Sequence, residues 1–161
     1  MALQNYYDYS KSIKFNYKIK PGIAILLKNP LTKQSVIIEN AIIDSGSDET
    51  ICTSNIALGI GHTIKKSFNQ TKPGLCSGVV SSMETFRHSA IIYLVDPITF
   101  KPFNFIKPIN LKMNVMKETK SIKNQRLFLL GINPFFEYFM ITLWNYKKKS
   151  LVLTPKKNLI K

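Results

Sequence analysis

The sequence predicts an all-β domain closed into a barrel. Three observations carry that expectation. At 161 residues, 45% of them hydrophobic, the chain is the size of one domain and can bury a sizeable core. Its apolar runs are short and rich in Ile, Val, Leu and Phe, and clusters of Pro, Gly, Asn and Ser punctuate them as turns punctuate strands. The strands they imply follow one another closely, which fits a closed barrel better than alternating β and α units. No internal repeat is visible.

Taken in order, residues 1–17 are rich in Tyr, Ser and Lys without sustained periodicity and are expected to form an N-terminal extension with little fixed structure. The domain proper is expected over residues 18–153. A strand at 18–27 turns through Asn29-Pro30 into a second at 34–39, and Glu39-Asn40 kinks the path before 41–43. Residues 50–53 read as a short strand and 54–61 as a turn. A strand at 64–69 leads to a hairpin tip at 70–78, containing Pro73, Gly74 and Gly78, with a return strand at 79–86. Residues 88–95 form another strand, broken by Asp96-Pro97, and 103–111 a further one interrupted by Pro108, as suits a sheet edge. Residues 113–126 are polar and lysine-rich and read as a long surface loop. A strand at 127–130, a short helical turn at 134–139 and a hairpin formed by 141–144 and 150–153 complete the domain. Residues 154–161 are expected to be a basic C-terminal tail.

The net charge of +14 comes from 23 basic against 9 acidic residues. The lysines are dispersed and accompany no nucleic-acid-binding motif, so non-specific attraction to nucleic acid is expected rather than specific recognition. No run of about 18 apolar residues could span a membrane, and the N-terminus lacks the layout of a signal peptide. The expectation is a soluble intracellular protein. Cys52 and Cys76 show neither metal-ligand spacing nor a disulfide framework and read as small apolar packing residues. His62 and His88 are too few and too scattered for a metal centre. No metal and no cofactor are expected.

The chemistry concentrates in Asp44-Ser45-Gly46-Ser47-Asp48, directly after the apolar strand ending at Ile43. A strand end can deliver Asp44 rigidly, Gly46 permits a tight backbone, and the Ser45 and Ser47 hydroxyls can orient a carboxylate. Asp, Ser and Gly are also ordinary turn residues, so this stretch alone is compatible with an unremarkable turn. A second apolar strand, Leu127-Phe128-Leu129-Leu130, ends at Gly131-Ile132 and precedes the short helical turn.

Strand-Asp-Ser-Gly-Ser, a glycine-bearing hairpin and then Leu129-Leu130-Gly131 before a short helix resembles the retropepsin (retroviral-type) aspartic proteases, over about residues 20–153. The run from Leu130 to Tyr138 looks most like the proteases of plant pararetroviral polyproteins. The resemblance implies a barrel of retropepsin type with one short C-terminal helix, active as a homodimer. It makes Asp44 the catalytic acid, with Ser45, Gly46 and Ser47 supporting it. The hairpin becomes a flap that, with Asp48, contacts substrate through Gly74, Leu75, Cys76, Ser77, Gly78 and Val79. Leu130, Gly131 and Ile132 become the segment packed beside the catalytic turn. Many retroviral enzymes carry arginine where this chain has Ile132, so a familiar dimer ion pair is missing.

Peptide hydrolysis by carboxylates needs two of them sharing a proton. The other aspartates, Asp8, Asp48 and Asp96, are not followed by Ser/Thr-Gly. The second acid is therefore expected from a second copy of Asp44 across a twofold axis. A Ser47 hydroxyl donating to ionised Asp44 would favour the charged form and an acid-side working range. The implied substrate is a polypeptide, specifically a viral or retroelement polyprotein, and the implied location is host cytoplasm or virion. Residues 1–17 would then be a leader. Two alternatives remain from the residues themselves: a non-catalytic peptide-binding or dimerisation module on this fold, and a basic nucleic-acid-binding protein.

Overall fold

A computed structural model describes residues 6–64, 70–74, 83–116 and 126–161. Ten strands and one short α-helix follow in order: β1 (Ile13–Asn16), β2 (Gly22–Lys28), β3 (Ser35–Ile43), β4 (Thr50–Thr53), α1 (Ser54–Gly59), β5 (Gln70–Gly74), β6 (Met83–Leu94), β7 (Ile109–Met116), β8 (Phe128–Leu130), β9 (Phe139–Asn145) and β10 (Ser150–Pro155). Strands β2-β3-β8-β4-β7-β6 are neighbours in that order, and β6 pairs back onto β2 to close a six-stranded barrel. Strand β5 hangs from the free end of β6, and β1-β10-β9 form a separate three-stranded sheet.

The closure follows from side-chain pattern. In β2, Ile23, Ala24, Ile25 and Leu27 are all buried, a run that suits a strand covered on both faces. β3 is continuous from Ser35 to Ile43, but its register with β2 shifts between Ile25↔Ile38 and Ile23↔Ala41. The extra residue falls at Glu39-Asn40, the expected kink, and bends the strand as a β-bulge does. The barrel is filled by Ile25, Leu27, Ile92, Ile109, Met113 and Leu130 among others.

Several expectations are corrected. Residues 13–16 are not a loose extension: β1 pairs antiparallel with β10, Ile13 with Leu153 and Phe15 with Leu151, and Ile13, Phe15 and Tyr17 are buried. Two apolar side chains on one face of a short strand are enough to dock it. Residues 154–161 are likewise no free tail, since β10 runs through Pro155, Leu159 is buried and Ile160 bridges Ile106. Residues 54–59 form α1 rather than a turn, burying Ile56 and Ala57. Residues 113–116 of the expected loop are strand instead, completing β7 in parallel register with β4. Pro108, lacking an N–H for the ladder, delays β7 until Ile109. Residues 70–74, expected in the hairpin tip, are strand β5 paired with β6. Residues 65–69 of the expected strand, Leu75, Cys76, Ser77, Gly78 and Val79 of the expected flap, and 117–125 of the expected loop lie outside the described residues. Among the described residues, no helix is long and apolar enough to cross a membrane.

Candidate active site

Asp44 sits at the C-terminal end of β3, where Ile42 and Ile43 pair in parallel with Leu129 and Leu130 of β8. The parallel ladder runs straight into the turn: the Asp44 N–H donates to the Leu130 carbonyl at 3.0 Å. Within the turn, the Gly46 N–H donates to Asp44 Oδ1 at 2.9 Å and the Ser47 N–H to the Asp44 carbonyl at 3.3 Å. One carboxylate oxygen is thereby pinned by backbone, while the partly buried group still borders solvent. Ser45, Gly46 and Asp48 are exposed.

Gly131 and Ile132 lie directly against the Asp44 turn. The Ile132 N–H donates to the Ser47 carbonyl at 2.7 Å and the Asn133 N–H to the Asp48 carbonyl at 2.8 Å. A Cβ on Gly131 would collide with the Glu49 carbonyl group and stand 2.7 Å from the Ser47 carbonyl oxygen, so only glycine lets the two segments approach so closely. Beyond Gly131 a π-helical turn spans Ile132–Phe136 with Asn133 extended inside it, so the helical turn expected over 134–139 starts earlier, and Phe139 already opens β9. Phe135, fully buried and stacked on Phe139 at 5.1 Å, anchors it.

Ser47 departs from expectation. Its hydroxyl donates to the Glu49 carbonyl at 2.7 Å rather than to Asp44, so it stiffens the exit of the turn instead of charging the acid. Gly74 ends β5, one strand removed from β7 through β6.

Two clusters escaped the sequence. Glu49, at the end of the turn, accepts Arg87 Nη2 of β6 at 2.9 Å and also bonds Asn114 Nδ2 of β7. Glu49, Arg87, Lys112, Asn133 and Pro134 line an open cavity of 560 Å³. Elsewhere, the His62 and His88 rings face each other, tilted by 34°, with centroids 4.4 Å apart. His62 Nε2 bonds the Ser89 carbonyl at 3.1 Å, and Nδ1 lies 3.4 Å from the Asn29 amide nitrogen. Both rings titrate below the ordinary histidine value, His62 through burial and the neighbouring charge of His88, against the pull of the Ser89 carbonyl, and His88 through burial. Cys52 is a buried thiol against Met113 Sδ at 3.6 Å, and burial pushes it up to about 12. Among the described residues no group of three or more His, Cys, Asp or Glu side chains is placed to hold a metal ion.

With this geometry the chain can be set beside known proteins. No family model and no curated protein matches the sequence. Among solved structures, a retropepsin-like aspartic protease from Rickettsia conorii is similar with a TM-score of 0.51 at 15% identity, covering 90% of this chain and 91% of that one. The fold is retropepsin-like. EIAV protease in complex with the inhibitor HBY-793 is similar with a TM-score of 0.46 at 14% identity, over 78% of this chain and 93% of that one. In this retropepsin-like barrel the sequence-predicted residues Asp44, Ser45, Gly46, Ser47, Asp48, Leu130, Gly131 and Ile132 form one continuous turn-on-turn assembly.

Proposed function

We propose that the chain is one protomer of a homodimeric aspartic endopeptidase. The observation that carries this reading is the Asp44 turn. A retropepsin-like barrel presents one partly buried carboxylate at a strand end, its backbone N–H held by the Leu130 carbonyl and its Oδ1 held by the Gly46 N–H. One carboxylate cannot both draw a proton from water and give one to the scissile carbonyl. Two Asp44 turns meeting on a twofold axis would share a single proton, titrate as a coupled unit and divide those roles, one as base toward the water and one as acid toward the carbonyl oxygen.

The exposed residues Ser45, Gly46 and Asp48, with Ser47, would border the shared cleft, and an extended polypeptide substrate would lie between them and the hairpin of β5 and β6, with residues 74–79 contacting it as the resemblance implies. The resemblance of residues 130–138 to pararetroviral proteases supports a viral or retroelement polyprotein as that substrate, and host cytoplasm or virion as the place of action.

The test is incubation of purified chain with a peptide array and candidate polyprotein junctions from pH 4 to 8, wild type beside Asp44→Asn. Cleavage that vanishes in Asp44→Asn while the melting temperature holds supports the reading. Specific activity must also fall on dilution, because the active species forms by mass action. Peptide retained by both proteins without cleavage would replace it with a binding module on the same fold.

A further inference from the structure

We propose that Arg87 and Asn114 are positioning residues that clamp Glu49 and thereby set the Asp44 turn against the β6 strand, an inference that rests on the peptidase reading. The three side chains form a row across adjacent strands. Ile51 of β4 is the register partner of Asn114 of β7, and Asn114 is the register partner of Arg87 of β6. Glu49 lies two residues before Ile51 and so projects to the same side of the sheet, over β7 toward β6. Its two carboxylate oxygens divide the work: Oε1 takes Arg87 Nη2 and Oε2 takes Asn114 Nδ2.

The location matters because the turn has few other restraints on this side. The β4–β7 ladder begins only at Thr50, so Glu49 is the last side chain of the turn before the sheet takes over. Its own carbonyl receives the Ser47 hydroxyl and crowds Gly131, so any movement of Glu49 passes directly to Ser47 and from there to Asp44. On the other side, Arg87 follows Phe86, the β6 residue paired with Gln70 at the start of β5. Phe86 there pairs with Gln70 of β5 on one side and Val115 of β7 on the other. The clamp thus ties the carboxylate turn to the root of the hairpin. It is the one ion pair among the described residues, in a chain with 23 basic side chains of which only two are arginine. The arginine reaches Glu49 through one Nη2–Oε1 bond, which its rigid planar guanidinium aims.

Both charged side chains are 38% exposed, so the pair adds little to global stability. Its contribution is geometric, and displacements of about 1 Å near reacting groups cost turnover heavily. The experiment uses the full chain as Arg87→Gln, Arg87→Lys and Glu49→Gln. It records kcat and KM on a substrate cleaved by wild type, the melting temperature, the dimer dissociation constant, and amide exchange at Gly46 and Ser47. Arg87→Gln and Glu49→Gln are expected to lower kcat about tenfold, with KM within about twofold. The melting temperature should hold within about 2 °C, and the Gly46 and Ser47 amides should exchange at least about fivefold faster. Arg87→Lys should recover only part of kcat, since an ammonium on a flexible stem holds the direction of the bond less well than the planar guanidinium. Unchanged amide exchange and unchanged kcat in Arg87→Gln, with Asp44-dependent cleavage intact, overturn the clamp and leave the peptidase reading standing. A kcat loss matched by equal loss of folded or dimeric protein also overturns it. If wild type cleaves nothing but Arg87→Gln still loosens the Gly46 and Ser47 amides, the peptidase reading fails and the clamp on the turn survives.

Discussion

Replacing Gly131 by alanine tests the central contact of the site with one methyl group. Gly131 has φ of −80° and ψ of −179°, extended backbone that alanine adopts freely, so the cost is collision alone. The added carbon would meet the Glu49 carbonyl group and the Ser47 carbonyl oxygen at 2.7 Å, backbone atoms that no rotamer change can move aside. Relief requires separating β8 and its following turn from the Asp44 turn, which stretches Ile132 N–H to Ser47 O and Asn133 N–H to Asp48 O together. Two backbone bonds at about 1 kcal/mol each, with a backbone shift of about 1–2 kcal/mol, give roughly 3–4 kcal/mol. In a domain of this size that lowers the melting temperature by about 6–15 °C. The assay is thermal and urea unfolding followed by the single tryptophan, Trp144, whose indole N–H donates to the Tyr17 hydroxyl at 2.8 Å. Gly59→Ala is the control, because nothing lies within 4 Å of its added carbon, and it should be neutral or slightly stabilising. A Gly131→Ala protein as stable as wild type within about 0.5 kcal/mol would refute the argument that this glycine is required by close approach.

Two further outcomes are expected. Both paired histidines have depressed folded-state values, so the unfolded chain binds more protons below about pH 6.5 and stability should fall as pH drops through that value. Melting temperature measured from pH 8 to 5 should decline for wild type and decline less for His88→Gln, and equal slopes would remove the pair as the cause. Phe15→Ala should cost about 3–5 kcal/mol, since the ring is 1% exposed and meets Phe103 edge-on at 6.3 Å; urea unfolding would show a loss under about 1 kcal/mol if residues 13–16 were a dispensable extension after all.

What could be read from the sequence was what short-range rules govern. The Asp44 turn follows from a β-branched strand meeting Ser and Gly, and the kink at Glu39-Asn40 from polar residues inside an apolar strand. β1 was hidden because four residues of alternating burial are too few to stand out in a stretch of Tyr, Ser and Lys, and its partner lies at the far end of the chain. Leu111, Met113 and Val115 do alternate with Lys112 and Asn114, but the lysines that follow drew attention to solvent. α1 is six residues long, begins at Ser-Asn and ends at Gly, which reads equally as a turn. The clamp could not be seen at all: Glu49 is 38 positions from Arg87 and 65 from Asn114, and only barrel closure makes them neighbours. The one cue was the scarcity of arginine among so many lysines. The same holds for His62 and His88, scattered in sequence and facing each other in space.

The pairing of β1 with β10, reinforced by the bridge between Tyr7 and Lys156, makes the earliest strand wait for the latest. During synthesis the chain emerges N-terminus first at about 5–20 residues per second. Ile13 and Phe15 stay wet until residues 150–153 have been made, and the residues between must then close as one loop. A nascent chain stalled before residue 150 should therefore leave residues 13–16 open to proteases and chaperones.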